Sequence, residues 1–137
     1  YSIMDLKNIK VKWEDEPKDN KLIELLKLAY TGELLVKIAL IKAEGIVPFS
    51  DYKPVTSAQY IQYFEDLENQ GKPPLLFVYP KNNFFVMSDD YNAYYLYKEK
   101  NYSTIGCLVL GEPIGEYVIE CSEPFKLPPP TAVDISG

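Results

Sequence analysis

Apolar residues along this chain recur at helical spacing in three stretches and gather into near-continuous runs in three others. Leu22, Leu25, Leu26 and Ala29 define one face of a helix over 21–30. Asp19 or Asn20 can cap it, and Thr31-Gly32 stops it. Tyr60, Phe64 and Leu67 share a face within "VTSAQYIQYFEDLENQG" (55–71), where Thr56 and Gln59 read as a capping box and Gly71 as a left-handed C-cap. Ala93, Leu96 and Tyr97 define the inner face of a helix over 90–100, capped by Ser88 or Asp89 and ended by Asn101. Asp89 and Asp90 fall in its first turn, where the helix dipole favours negative charge.

The runs read as strands. Leu75–Tyr79 and Phe84–Met87 flank "PKNN" and predict a hairpin, since Asn82 and Asn83 tolerate positive φ. "TIGCLVLG" (104–111) predicts a buried strand, and "EYVIECSEPF" (116–125) one more. "IVPFSDYKP" (46–54) is a short extended stretch closed by Pro54. Alternation around Ile9, Val11 and Trp13 predicts a strand within 3–15. "ELLVKIALIKAEG" (33–45) fits two readings. Leu34, Ile38 and Ile41 make a helix face and Glu33→Lys37 an i,i+4 pair, while the density of Val36, Ile38 and Ile41 also suits a buried strand. The helix is preferred.

These elements predict one α+β domain over 1–127, a small mixed sheet with flanking helices, followed by a proline-rich tail over 128–137. At 137 residues the chain can bury a core. No apolar run approaches a membrane span of roughly 18 residues; the chain starts at Tyr1 without a methionine, so a trimmed start is expected, no signal peptide is visible in what remains, and a cytoplasmic location is expected. Cys107 and Cys121 match no metal spacing and are expected to be reduced and non-catalytic, with Cys107 buried.

Composition changes the picture through what is missing. The chain has no histidine, and all 14 of its cationic residues are lysine. Histidine-based nucleophile pairs are therefore excluded, along with the usual general base near neutral pH. The bidentate guanidinium grip on phosphate is excluded too. A net charge of −6 argues against nucleic acid as a partner. No catalytic residue and no cofactor is assigned.

Candidate chemistry concentrates in "VMSDDYNAYYLYKEKNYSTIGCLVLGEP" (86–113), where an apolar strand runs into two aspartates and a helix. Ser88, Asp89, Asp90 and Asn92 are the ligand or metal candidates; helix capping is the preferred reading over a Mg²⁺ site. The acidic triplet Glu65, Asp66 and Glu68 reads as a solvated helix surface rather than a metal site. Tyr91, Tyr95 and Tyr102 are expected to fall partly outside the fold and are interface candidates, for a protein partner or for self-association. A single-strand stacking platform would need more cations than Lys98 and Lys100.

From "GIVPFSDYKP" through "YFEDLENQGKPPLLFV" to "FVMSDDYNAYYLYKEKNYSTIGCLVLG", the order is short strand, capped helix, hairpin, helix, strand. Over about 46–111 this resembles the ParB-like family, which includes the sulfiredoxins. Residues 1–45 would then be an N-terminal extension. The family's "D-G-x-x-R-x-x-A" turn corresponds in register to Asp89, Asp90, Ala93 and Leu96. The resemblance implies a scaffold that binds nucleotide phosphate at the helix N-terminus, through the glycine and the arginine. Here Asp90 replaces the glycine and Ala93 the arginine, and Tyr91 and Asn92 occupy the region of a sulfiredoxin's catalytic cysteine. The chain is thus expected to be a degenerate, non-catalytic binding or regulatory module with a lost phosphate site. The alternatives are an acidic inhibitor or immunity-type protein that binds a basic partner, and a metal-dependent enzyme acting on nucleotides or nucleic acid.

Overall fold

A computed structural model describes residues 18–128. The strand expected within 3–15, and all of the proline-rich tail but Pro128, lie outside the described residues. The elements run α1 (Asn20–Tyr30), β1 (Lys37–Lys42), a 3-10 turn (Ala43–Gly45), β2 (Ile46–Pro48), α2 (Ala58–Asn69), β3 (Leu76–Lys81), β4 (Phe84–Met87), α3 (Tyr91–Glu99), β5 (Thr104–Val109) and β6 (Val118–Cys121). They form a small α+β domain in which a mixed six-stranded sheet, ordered β2-β4-β3-β5-β1-β6, is flanked by helices. Among the described residues no helix is long and apolar enough to cross a membrane.

Helix ends follow local chemistry. Gly71 (φ 74°) and Asn101 (φ 58°) both take the left-handed conformation after their helices. Lys72 N–H bonds Leu67 O at 2.9 Å and Tyr102 N–H bonds Tyr97 O at 3.0 Å, closing the last turns in the Schellman pattern. Two expected caps are corrected. Ser57, not Thr56, caps α2 by accepting from Tyr60 N–H at 3.1 Å. Asp90, not Ser88 or Asp89, caps α3. Thr56 instead donates to Asn92 Oδ1 at 3.0 Å, so its hydroxyl is drawn away from α2 by a residue 36 positions on.

The helix expected over 33–45 is also corrected: β1 occupies its centre. The strand pairs antiparallel with β5 on one side and with β6 on the other, so both edges of its backbone are laddered. Ala39 and Ile41 alternate into the core. A helix would have left Ala39, which is 1% exposed, off the Leu34–Ile38–Ile41 face. Tertiary pairing of β-branched residues overrides the local helical pattern.

Order and connection together force the sheet to curl. In a flat sheet β1 and β2 would lie four strand spacings apart, about 19 Å. Only a three-residue 3-10 turn joins them, and Lys42 to Ile46 spans at most about 14 Å even fully extended. The two ends of the sheet therefore approach each other. Phe84 on β4 stacks on Tyr117, just before β6, with ring centroids 5.5 Å apart. Gly45 is required at this closure, since a Cβ there would lie 2.3 Å from the Tyr117 ring.

One face of the sheet carries Ala39, Ile41, Leu76, Val78, Phe85, Met87, Ile105, Cys107 and Val109, packed against Phe64 of α2 and the inner residues of α3. Phe64 and Tyr97 meet edge-on at 4.9 Å; truncating Phe64 to alanine would cost about 3–5 kcal/mol. The other face packs Tyr79, Val86, Leu108 and Leu110 against Leu22 and Ala29 of α1. Neither cysteine is in a disulfide. Cys107 is buried, and desolvation pushes its thiol up to about 12, whereas Cys121 is exposed.

Candidate functional site

The turn from β4 into α3 brings the candidates within five residues, but their side chains go to different places. Ser88 is 6% exposed and points to α1, where its hydroxyl donates to Asp19 Oδ2 at 2.9 Å. Tyr79 donates to the same oxygen at 2.6 Å. The other oxygen of Asp19 accepts the amides of Lys21 and Leu22 at 3.1 and 3.4 Å. Ser88 therefore ties the turn to the cap of α1.

Asp90 closes α3. Its Oδ1 accepts Ala93 N–H at 3.1 Å, and its Oδ2 accepts the Tyr60 hydroxyl at 2.5 Å. Burial raises its pKa, and the bonds from Tyr60 and from the amides of Ala93 and Asn92 oppose that rise. Asp89 lies beside it. Burial, with the Asp90 charge second, pushes the Asp89 carboxyl up to about 6. Tyr30, at the end of α1, has its pKa raised first by burial and then by the Asp89 charge. Among the described residues neither aspartate enters an ion pair, and no three acidic, cysteine or histidine side chains converge as a metal-ligand set.

The aromatic candidates also separate. Tyr91, expected partly outside, is fully buried, with its ring edge-on to Tyr52 at 5.3 Å and its hydroxyl 3.3 Å from that of Ser50. It belongs to the core, because a helix capped at Asp90 turns position 91 inward. Tyr95 is half-buried, with the Lys53 ammonium 5.2 Å from its ring centre. Tyr102 is half-buried and donates to Glu68. Glu65 and Glu68 both meet Lys100, at 3.3 and 3.1 Å, so this outer face of α2 serves to tie α2 to the end of α3.

Sequence reading missed Asp19, Tyr60 and Thr56 as members of this region. They lie 71, 30 and 36 positions from Asp90 or Asn92, as read from the numbering, and no local pattern announces such pairings. Ala93 is fully buried, so position 93 lies inside the core and presents no side chain to the turn.

An anion at the N-terminus of α3 would meet opposing terms. A helix N-terminus attracts negative charge by about 0.3–1 kcal/mol. Two unit charges 4 Å apart repel by about 4 kcal/mol at the effective dielectric of a protein surface. A phosphate at α3 would find the amides of Ala93 and Asn92 already bonded to Asp90, and the Asp89 and Asp90 carboxylates beside them. No protein-family model matches the chain, and no curated protein matches it significantly.

Proposed function

We propose that this chain is a non-catalytic binding module on a ParB-like, sulfiredoxin-like scaffold with an N-terminal extension, and that its phosphate site has been replaced by an internal cap. The order of elements from β2 to β5 supports the scaffold reading. The observation that carries the lost site is Asp90, which occupies the amide end of α3 and is held there by Tyr60. The work of such a module is to bind a protein partner.

Calorimetric titration with a nucleoside triphosphate, with and without Mg²⁺, tests this. No binding heat is expected, and micromolar affinity would overturn it. A complementary variant removes both charges and keeps a capping side chain: Asp89→Asn with Asp90→Asn. On the proposed scaffold this double variant gains at least about tenfold in pyrophosphate affinity. An unchanged affinity in a folded double variant would argue against the scaffold.

A further inference from the structure

We infer that the outer edge of β6 is a docking strand for an extended, lysine-rich segment of another protein. Three observations meet there. First, β6 pairs only with β1, so one side of its backbone is unpaired by any described strand. Ser122 N–H bonds Ile38 O at 2.8 Å. Facing pairs in an antiparallel ladder alternate between bonded and non-bonded, so Glu120 opposite Leu40 also turns its backbone toward β1. Cys121, between them, therefore turns its N–H and C=O outward. Ile119 is the extra residue where the register shifts, without a facing partner on β1.

Second, this edge is apolar where a strand would land. Ile119 is 50% exposed, and Ile114, in the loop leading to β6, is 75% exposed. Third, acidic side chains predominate in this segment. Between Lys100 and Lys126 the chain carries Glu112, Glu116, Glu120 and Glu123 and no cation. All four are exposed; among the described residues Glu112 pairs with Lys37 at 3.0 Å, and the Lys37 charge is also felt by Glu123. A second copy of the chain fits poorly, because symmetric pairing would set these carboxylates against themselves. A basic strand fits: its backbone completes the ladder, its cations meet the glutamates, and its alternate apolar side chains reach Ile119. This surface is separate from α3, so its failure would leave the reading of a lost phosphate site untouched.

The probe is a capped peptide of alternating lysine and valine, titrated by fluorescence anisotropy against the full chain. Its control has the same charge, with proline replacing half the valines so that it cannot pair. Wild type is expected to prefer the alternating peptide by at least about tenfold. Cys121→Pro removes only an outward N–H, which an edge strand tolerates, and should lower affinity by about tenfold with the thermal midpoint unchanged. Should that variant unfold, Glu120→Gln with Glu123→Gln takes its place and should lower affinity several-fold and flatten the salt dependence. Equal affinity for the two peptides, no binding, or concentration-dependent dimers in sedimentation with no peptide effect would each overturn the inference.

Discussion

Asp19 and Asp90 each close a helix N-terminus, and each also accepts a tyrosine hydroxyl, from Tyr79 at 2.6 Å and from Tyr60 at 2.5 Å. Their surroundings differ in the next group along. Asp19 receives a further donor, the Ser88 hydroxyl. Asp90 receives a second carboxylate, Asp89, whose own pKa is raised by burial and by that neighbour. One cap is a fully donor-lined carboxylate that joins β3, the β4–α3 turn and α1. The other is a cap with a second carboxylate beside it that enters no ion pair among the described residues. The same residue type, in the same role, is an anchor in one place and a point of strain in the other. The difference lies in what the fold brings to each carboxylate.

The largest expected effect comes from breaking the anchor. Asp19→Ala removes the cap and leaves the Tyr79 and Ser88 hydroxyls buried without their acceptor. A loss of about 3 kcal/mol is expected in denaturant unfolding. A loss no larger than that of an ordinary cap, about 1 kcal/mol, would show that the two caps are equivalent.

Asp89→Asn tests the strained side and should stabilise. Unfolded, Asp89 loses its proton near its ordinary value of 3.8; folded, it holds the proton up to about 6. Between those values the folded state binds more protons, so stability falls as pH rises through the window, and the full cost stands above it. For this partly exposed group the cost is on the order of 1–2 kcal/mol. The variant should therefore exceed wild type by that amount at pH 7 and match it near pH 4. A pH-independent difference between the two would refute the assignment to Asp89.

Asp90→Ala should cost only about 1 kcal/mol, because losing the cap and the Tyr60 bond is partly offset by relief of Asp89. Titration of Asp89 by NMR in that variant should move its pKa downward. The smallest effect is expected for Ser88→Ala, about 0.5–1 kcal/mol, since Tyr79 and two amides still serve Asp19. If Ser88→Ala cost as much as Asp19→Ala, the anchor would be the serine and not the carboxylate.

Much of the local architecture was legible in the residues. The spacing of Leu22 and Ala29, of Tyr60 and Phe64, and of Ala93, Leu96 and Tyr97 follows the helix period, and those residues line the two cores. Asn82, between the hairpin strands, has φ 57°, and Gly71 and Asn101 end their helices as their conformational freedom allows. The candidate site was legible only as a location. That the 88–92 turn carries carboxylates could be read from the order of residues. Which aspartate caps, and that Ser88 serves α1, could not. Those outcomes depend on Tyr60, Thr56 and Asp19, which chain distance hides.

By itself, the sequence determined the positions of the helices, the hairpin and the strand at 104–109, because each rests on periodicity and on turn chemistry within a few residues. It also determined which chemistries are absent, since a chain without histidine or arginine cannot borrow them from its fold. Tertiary structure alone decided the state of residues 37–42, whose apolar pattern suits either period and whose backbone is claimed by β5 and β6. It decided the curl of the sheet, which follows from where β2 pairs, given the short connection from β1. And it decided which donors serve the two aspartate caps, because a carboxylate's energy is set by the donors and charges within a few ångströms; the Asp89 charge is adjacent in the chain, but the hydroxyl donors arrive from 30 to 69 positions away.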